Sequence, residues 1–247
     1  MKRRIINDDI ISFSNIIARN AIHSGHVSVP GKRLNFDAQT GAFTVGNTIT
    51  GGTSGAIAII KIIDDGGTTG TLYLENISGT FQDNEIIYEA SYGGELVTNG
   101  TMEADANWDN YGVPATNERS IEQKVSGSYS RKLIANSTYD GIQSTHNLVT
   151  VSGSFYKVVF NTYPVDINPI RMGLRDGANS AWLINEYITS SLGSFTQTTR
   201  FIQDTGAGGP GGWIQFQCDY RTSGTWYIDD VSVKQITNAA LVNGTLY

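Results

Sequence analysis

The side chains capable of acid–base chemistry are scattered along this sequence. Glycoside hydrolysis needs two carboxylates facing each other across a cleft, and no local motif pairs acidic residues here. The acidic candidates are Glu118, Glu122, Asp166, Asp176, Glu186 and Asp204. The histidines form no ligand cluster, and a Gly-x-Ser-x-Gly nucleophile elbow is absent, although a Ser-His-Asp set assembled only in space stays open. We therefore predict no catalytic residues and expect that the protein is not an enzyme.

Aromatic side chains are the second group with chemical potential, because a pyranose ring packs its apolar face on an aromatic ring. Trp182 and Trp213 stand near glycine- and asparagine-rich turns, where either ring could be exposed. Our candidates for glycan stacking are Trp182, Trp213, Tyr187 and Tyr220. Core packing is the alternative for each of these rings, and the sequence leaves it open.

The composition indicates many short strands joined by tight turns. Charged residues make up only 16% of the 247 residues, and glycine occurs 28 times, a mixture typical of β-proteins and not of helical bundles. The net charge is −6, and no basic stripe is present, which argues against nucleic acid as the main ligand. The single cysteine, Cys218, excludes an internal disulfide. No stretch has transmembrane length, and we expect no secretory signal and no membrane insertion.

Residues 1–30 differ from the rest, because apolar residues recur there at helical spacing after Asn7-Asp8-Asp9, a sequence that can cap a helix. The apolar stripe includes Ile10, Ile11, Phe13, Ile16 and Ile17. Such a stripe has to be covered, either by the chain's own body or by another subunit. We predict a short helical anchor segment.

Residues 31–95 are strand-like and contain a repeat, since residues 41–49 are echoed by residues 79–87. Asp64-Asp65-Gly66-Gly67 predicts a hairpin between two strands. The run Ile57–Ile63 before it is apolar on both faces, so we predict burial against a neighbouring chain and assign Ile60 and Ile62, with the helical stripe, to an assembly interface.

This small β-module resembles one that recurs in the virion proteins of tailed phages. The resemblance rests on Phe43-Thr44-Val45-Gly46, on residues 50–56, and on Gly70-Thr71-Leu72 leading to Ser78-Gly79-Thr80-Phe81. Because these residues form turns and strands, the resemblance implies architecture and a virion context, and no chemistry.

Residues 96–236 show regularly spaced strand patterns and resemble the jelly-roll carbohydrate-binding modules. The matching residues are Val97-Thr98-Asn99-Gly100-Thr101-Met102-Glu103, residues 128–133, Gly141-Ile142-Gln143, residues 153–158 and residues 226–233. The resemblance implies a two-sheet sandwich and a structural calcium held by Glu103 with Asp229 or Asp230. The alternative is that one aspartate faces solvent while the other accepts turn hydrogen bonds.

Together these patterns predict an all-β protein with an N-terminal helical segment, a small β-module, a jelly-roll sandwich and a C-terminal tail at residues 237–247. We expect a phage capsid decoration protein or head fibre, made in the host cytoplasm. It would dock on the major capsid protein or another virion protein as a homotrimer and bind host-surface glycans weakly. The alternatives are a tail-associated receptor-binding protein and a depolymerase. The sequence does not give the capsid or tail location, the oligomeric state or the sugar.

Overall fold

The computed structural model describes residues 32–145, 147–218, 223–244 and 246, and these fold into nineteen β-strands. The predicted helical segment 1–30, with Ile10, Ile11, Phe13, Ile16 and Ile17, lies outside the described residues, as does Tyr220. In the part of the chain that the structure describes, no helix is long and apolar enough to cross a membrane.

Six strands close into a barrel in the order β1-β19-β5-β2-β3-β4. Their bounds are β1 Lys32–Asp37, β2 Thr48–Gly51, β3 Ile57–Asp65, β4 Gly70–Ser78, β5 Ile86–Tyr88 and β19 Ala239–Val242. The two copies of the sequence repeat lead into β2 and β5, which pair with each other. The repeat places equivalent side chains in the barrel core, namely Phe43 with Phe81 and Ile49 with Ile87.

The predicted hairpin joins β3 to β4. Gly66 donates its amide hydrogen to the Thr69 carbonyl oxygen at 2.9 Å, and Gly67 has a φ of +100°, which glycine adopts without steric cost. Ile60 is fully buried inside the barrel, so its assignment to an assembly interface is wrong. Ile62 is half-buried and lies opposite Tyr73 on the outer side. A β-bulge between Ile60 and Ile62 breaks the alternation, which explains why the run reads as apolar on both faces.

The remaining strands build a jelly-roll sandwich. Its five-stranded sheet has the order β14-β13-β17-β10-β7, and its six-stranded sheet has the order β15-β12-β18-β9-β8 with β6 paired to β18. The bounds are β6 Tyr92–Glu95, β7 Trp108–Tyr111, β8 Thr116–Ser120, β9 Ser130–Ala135, β10 Gly141–Ser144, β11 Leu148–Thr150, β12 Phe155–Pro164, β13 Ile170–Arg175, β14 Trp182–Ile188, β15 Thr196–Gln203, β16 Gly209–Gly212, β17 Ile214–Cys218 and β18 Gly224–Ile236. Strands β11 and β16 form a separate pair.

One hydrophobic core fills the space between the two sheets. Alternate residues of β13 and β17 point into it from the five-stranded sheet, among them Met172 and Phe216. Tyr156, Phe160 and Trp226 enter from the six-stranded sheet. Cys218 is buried in the same core. The other residues of β13 and β17 therefore project from the outer face of the five-stranded sheet.

The chain leaves the barrel after β5, builds the sandwich and returns to the barrel with β19. Residues 237–247, set apart as a tail from the sequence, therefore include the strand that lies between β1 and β5. Ala240 and Val242 are apolar and fill the barrel core, which is the physical reason for this pairing.

A small apolar cluster joins the barrel to the sandwich. Tyr88 of the barrel stacks on Phe201 of the sandwich with ring centroids 4.9 Å apart. Phe155 and Ile236 are fully buried in this cluster. Two chain connections and a shared apolar contact thus link the two units.

Candidate functional site

The outer face of the five-stranded sheet carries an ordered layer of polar and aromatic residues. The strand register places Tyr187, Arg171, Gln217 and Tyr111 in one row across the sheet, with Gly141 between the last two. The next row contains Asn185, Gly173, Gln215, Gln143 and Asp109. Four inter-strand spacings of about 4.8 Å make the face about 19 Å wide. This width suits an extended ligand better than a single small molecule.

Trp182 lies across this face because Gly173 leaves room for it. A Cβ atom at residue 173 would stand only 2.5 Å from the Trp182 ring, so any larger residue there would displace the indole. Trp213 supports Trp182 edge-on, with ring centroids 5.2 Å apart. The guanidinium carbon of Arg175 lies 4.3 Å from the centroid of Trp182, a cation–π contact that fixes the ring further.

A buried aspartate shapes the turn that leads into Trp182. Asp176 accepts hydrogen bonds from the backbone amides of Ser180 at 2.6 Å and Ala181 at 2.9 Å. Burial opposes ionisation of this group, but the hydrogen bonds outweigh it and lower the pKa of Asp176. The same turn carries Asn179, whose side-chain oxygen accepts a hydrogen bond from the Trp213 indole at 3.2 Å. The turn therefore positions both tryptophans.

Two amide side chains form the floor of the face. Gln215 and Gln217 are each only 1% exposed, although they point away from the core. Gln215 Nε2 donates to Gln217 Oε1 at 2.9 Å, while Gln215 Oε1 is buried without a hydrogen-bond partner. A buried amide oxygen without a partner costs free energy, which a donor group of a ligand or a water molecule recovers. Because neighbouring atoms cover both side chains, they belong to the packed floor of the face and do not present exposed groups.

The structure brings together three of the four residues predicted for glycan stacking. Trp182 and Trp213 touch each other, and Tyr187 lies on the same strand as Trp182 with 44% of its surface exposed. Trp213 itself is only 7% exposed, so it serves as a support for Trp182. The fourth residue, Tyr220, lies outside the described residues.

Sequence reasoning missed the residues that complete this face. Gln215 and Gln217 alternate with the core residues of β17, a signal that also fits an ordinary solvent-exposed face. Gly173 and Arg175 alternate in the same way on β13. Gly173 and Arg175 are marked by their contacts with Trp182, and Gln215 and Gln217 by their burial on an outer face. Neither property can be read from spacing.

The carboxylates predicted to hold calcium lie around the loop formed by residues 125–129. Glu103 accepts the amide hydrogens of Ser128 and Tyr129 at 2.8 and 3.0 Å, and the Tyr129 and Ser128 amides lower its pKa. Asp229 accepts from the Val125 amide at 2.8 Å. Burial raises the pKa of Asp229 to about 6.

Asp230, the third carboxylate predicted to hold calcium, accepts a hydrogen bond from the Ser126 hydroxyl at 2.7 Å. Within the described residues, no three His, Cys, Asp or Glu side chains come together as metal ligands. Glu103, Asp229 and Asp230 thus bind the chain's own donors, and calcium binding stays a prediction.

Comparison with known proteins finds similarity to solved structures only. No protein-family model matches the sequence, and no curated protein is significantly similar to it. The arabinose-bound α-L-arabinofuranosidase MgGH51 is 15% identical with a TM-score of 0.47, over 57% of this chain and 26% of that chain. This chain therefore spans about a quarter of the length of that enzyme.

Two further solved structures show a similar degree of likeness. The CBM22-1 xylan-binding domain of Xyn10C from Paenibacillus barcinonensis is 13% identical with a TM-score of 0.43, over 60% of this chain and 97% of that domain. The enzymatically active domain of tailspike protein 4 from bacteriophage CBA120 is 15% identical with a TM-score of 0.43, over 57% of this chain and 21% of that chain.

Proposed function

We propose that the protein binds glycans through the outer face of the five-stranded sheet. The observation that carries this proposal is the half-buried Trp182 ring, which lies against Gly173 on the outer face and is held there by Trp213 and Arg175. The indole offers an apolar platform for a pyranose ring, and the exposed Tyr187 on the same strand offers a second aromatic ring and a hydroxyl group. Arg171 and Arg175 on the neighbouring strand supply further donors.

We propose that this face binds without hydrolysis. Among the residues that the register places on this face, Asp109 is the one carboxylate in the described part of the chain, at the edge opposite Asn185. Glu186 is paired instead with Arg200 of β15 at the edge between the two sheets. A hydrolytic pair would need two carboxylates facing one scissile bond.

A glycan array tests this proposal directly. We expect the wild-type protein to bind at least one extended polysaccharide or oligosaccharide, and the variant Trp182→Ala to lose that binding while keeping its melting temperature within a few degrees. Binding that survives Trp182→Ala unchanged, or an array without any ligand, would overturn the proposal.

We also propose that the barrel is the attachment unit of a phage virion protein, first of all a capsid decoration protein that displays the sandwich. The barrel and sandwich are joined by two chain connections and by the stacked pair Tyr88 and Phe201, an arrangement suited to holding a displayed domain in one orientation. The barrel also exposes the apolar side chains Val45 and Ile57, which suit contact with a partner protein.

The copy number of the protein in purified virions tests this role. A capsid decoration protein is expected in many copies, in multiples of three if it is a homotrimer. A few copies confined to the tail would overturn the capsid assignment and favour the alternative, a tail-associated receptor-binding protein. Absence from the particle would overturn both.

A further inference from the structure

A second depression lies on the opposite side of the sandwich, on the outer face of the six-stranded sheet next to the barrel. It has a volume of about 250 Å³ and is lined by Tyr92, Lys157, Val159, Ser232 and Lys234. These residues come from the three neighbouring strands β6, β12 and β18. The depression is separate from the face that carries Trp182.

Two lysines face each other in this depression. Lys157 of β12 and Lys234 of β18 are direct partners in the antiparallel register, a placement in which like charges destabilise a sheet. Within the described parts of the chain, neither ammonium group takes part in an ion pair. A bound anion would relieve this repulsion, since each lysine supplies a positive charge and hydrogen-bond donors.

The nearest carboxylate in the register, that of Glu95, offsets only part of the charge of the two lysines. Glu95 lies opposite Lys234, but its Oε1 accepts the Val233 amide hydrogen at 2.7 Å and its Oε2 accepts from the Ser232 hydroxyl at 2.6 Å. Both oxygens of Glu95 are thus used by neutral donors. Glu95 keeps its single negative charge, so the two lysines and this carboxylate together carry a net charge of +1.

The wall beside the lysines is apolar. Tyr92 presents an aromatic ring, with Lys157 Nζ 5.4 Å from its centroid, and Val159 lies next to it in the lining. A ligand that fits this surface has a carboxylate at one edge and an apolar ring face beside it. A sugar uronate has both features, whereas an aspartate or glutamate side chain has the carboxylate alone.

We propose that this depression binds a uronate residue of an acidic polysaccharide. The carboxylate lies between the ammonium groups of Lys157 and Lys234, and the sugar ring packs against Tyr92 and Val159. The site is independent of the proposed glycan site on the five-stranded sheet and stands whether or not that face binds sugar.

Isothermal titration of the full chain with an oligogalacturonate tests this proposal, with the methyl-esterified oligomer as the neutral control ligand. We expect the acidic oligomer to bind, the esterified one to bind at least about tenfold more weakly, and added salt to weaken the binding. The double variant Lys157→Gln/Lys234→Gln is expected to weaken binding by about tenfold or more. Its melting temperature is expected not to fall, because two facing like charges are removed.

Matched variants separate this site from the rest of the molecule. The double variant Lys61→Gln/Lys124→Gln removes the same charge outside the depression and is expected to leave uronate binding unchanged, as is Trp182→Ala. The single variant Lys234→Gln gives the same test with a smaller loss if the double variant unfolds. The proposed site would be overturned if Lys61→Gln/Lys124→Gln weakened uronate binding as much as Lys157→Gln/Lys234→Gln does, or if Trp182→Ala abolished it. Equally tight binding of polyglutamate would overturn the assignment to a sugar.

Discussion

The two outer faces of the sandwich both carry aromatic residues, but they use them differently. On the six-stranded sheet, Tyr163 packs edge-on against Tyr227 and Phe195, with ring centroids 5.8 and 5.2 Å apart. On the five-stranded sheet, Trp182 meets Trp213 edge-on and lies against Gly173, and the Arg175 guanidinium carbon stands 4.3 Å from its ring centroid. Each ring therefore has aromatic partners, and Trp182 differs from Tyr163 in its additional contact with a guanidinium group.

The polar groups of the two faces have different partners. On the six-stranded sheet, the loop formed by residues 121–129 supplies partners: Glu122 binds Lys132 at 2.7 Å and also Tyr227, and the Val125 amide binds Asp229. On the five-stranded sheet, Gln215 Oε1 is buried without a partner. On the six-stranded sheet, Asn161 Nδ2 opposite Asp229 is likewise buried without a partner, so an unpaired buried group does not by itself distinguish the two faces.

The largest effect is expected from the variant Trp182→Ala. Loss of the central aromatic platform should cost about 2 to 4 kcal/mol of glycan-binding free energy, which corresponds to about 30-fold or more in Kd. The matched variant Tyr163→Ala on the other face should leave Kd unchanged. Titration calorimetry with the best array ligand measures both values, and equal losses would contradict the distinction between the faces.

A somewhat smaller effect is expected from the variant Gly173→Ala. The added methyl group would collide with the Trp182 ring and should cost about 1 to 3 kcal/mol of unfolding free energy, together with a loss of glycan binding. The control Gly94→Ala, on a strand of the six-stranded sheet where a Cβ meets nothing within 4 Å, should change neither property. Denaturant unfolding of the two variants checks this, and a neutral Gly173→Ala would show that Trp182 does not need the glycine.

Asp229 on the six-stranded sheet should make stability depend on pH. Burial raises its pKa to about 6, against about 3.9 in an unfolded chain. Between these values the folded state binds more protons than the unfolded state, so this group's contribution is present below about pH 4 and is lost as the pH rises to about 6, on the order of 3 kcal/mol.

Carbon-13 NMR of the Asp229 carboxyl group measures this titration, and a midpoint near pH 4 would contradict the expected shift. Repeating the titration with calcium tests the predicted metal site at this loop. Bound calcium favours the ionised carboxylate and would move the midpoint to lower pH. A midpoint that does not respond to calcium would remove the metal prediction.

The smallest effect is expected at the edge where the two sheets meet. Arg200 of β15 and Glu186 of β14 form an ion pair there, with 38% and 33% of their side chains exposed. Pairs this exposed contribute less than about 1 kcal/mol. Thermal unfolding of Arg200→Gln should therefore show a small decrease at most, and glycan binding should not change. A large loss of binding would mean that this edge shapes the site.

Local patterns in the sequence predict much of this structure, and contacts between distant residues account for what they miss. Strand alternation and turn glycines indicate the all-β fold and the β3–β4 hairpin, because both depend on neighbouring residues. Strand β19 pairs with β1 and β5, which precede the whole sandwich, and no local pattern predicts a partner so far away. A polar terminal segment gives no hint that Ala240 and Val242 complete a barrel core.

The residues of the candidate site also fall into two groups, those that local sequence predicts and those that only contacts between distant residues reveal. Trp182 and Trp213 stand out in the sequence because tryptophan is rare and turns flank both of them. Gln215, Gln217 and Gly173 look like ordinary outer-face residues. Strand alternation predicts which side of the sheet a residue points to, but it does not predict whether other residues bury it there. Their significance depends on where the Trp182 ring lies, which is set by the Asp176 turn and by Arg175.

The indole NMR signals of the four tryptophans test most directly whether the five-stranded face binds glycan. Trp182 and Trp213 lie on that face, whereas Trp108 and Trp226 are buried between the sheets. On titration with a bound oligosaccharide, the Trp182 signal should shift most, Trp213 less, and Trp108 and Trp226 very little. Saturable binding that leaves the Trp182 signal unchanged would contradict the assignment of the binding face.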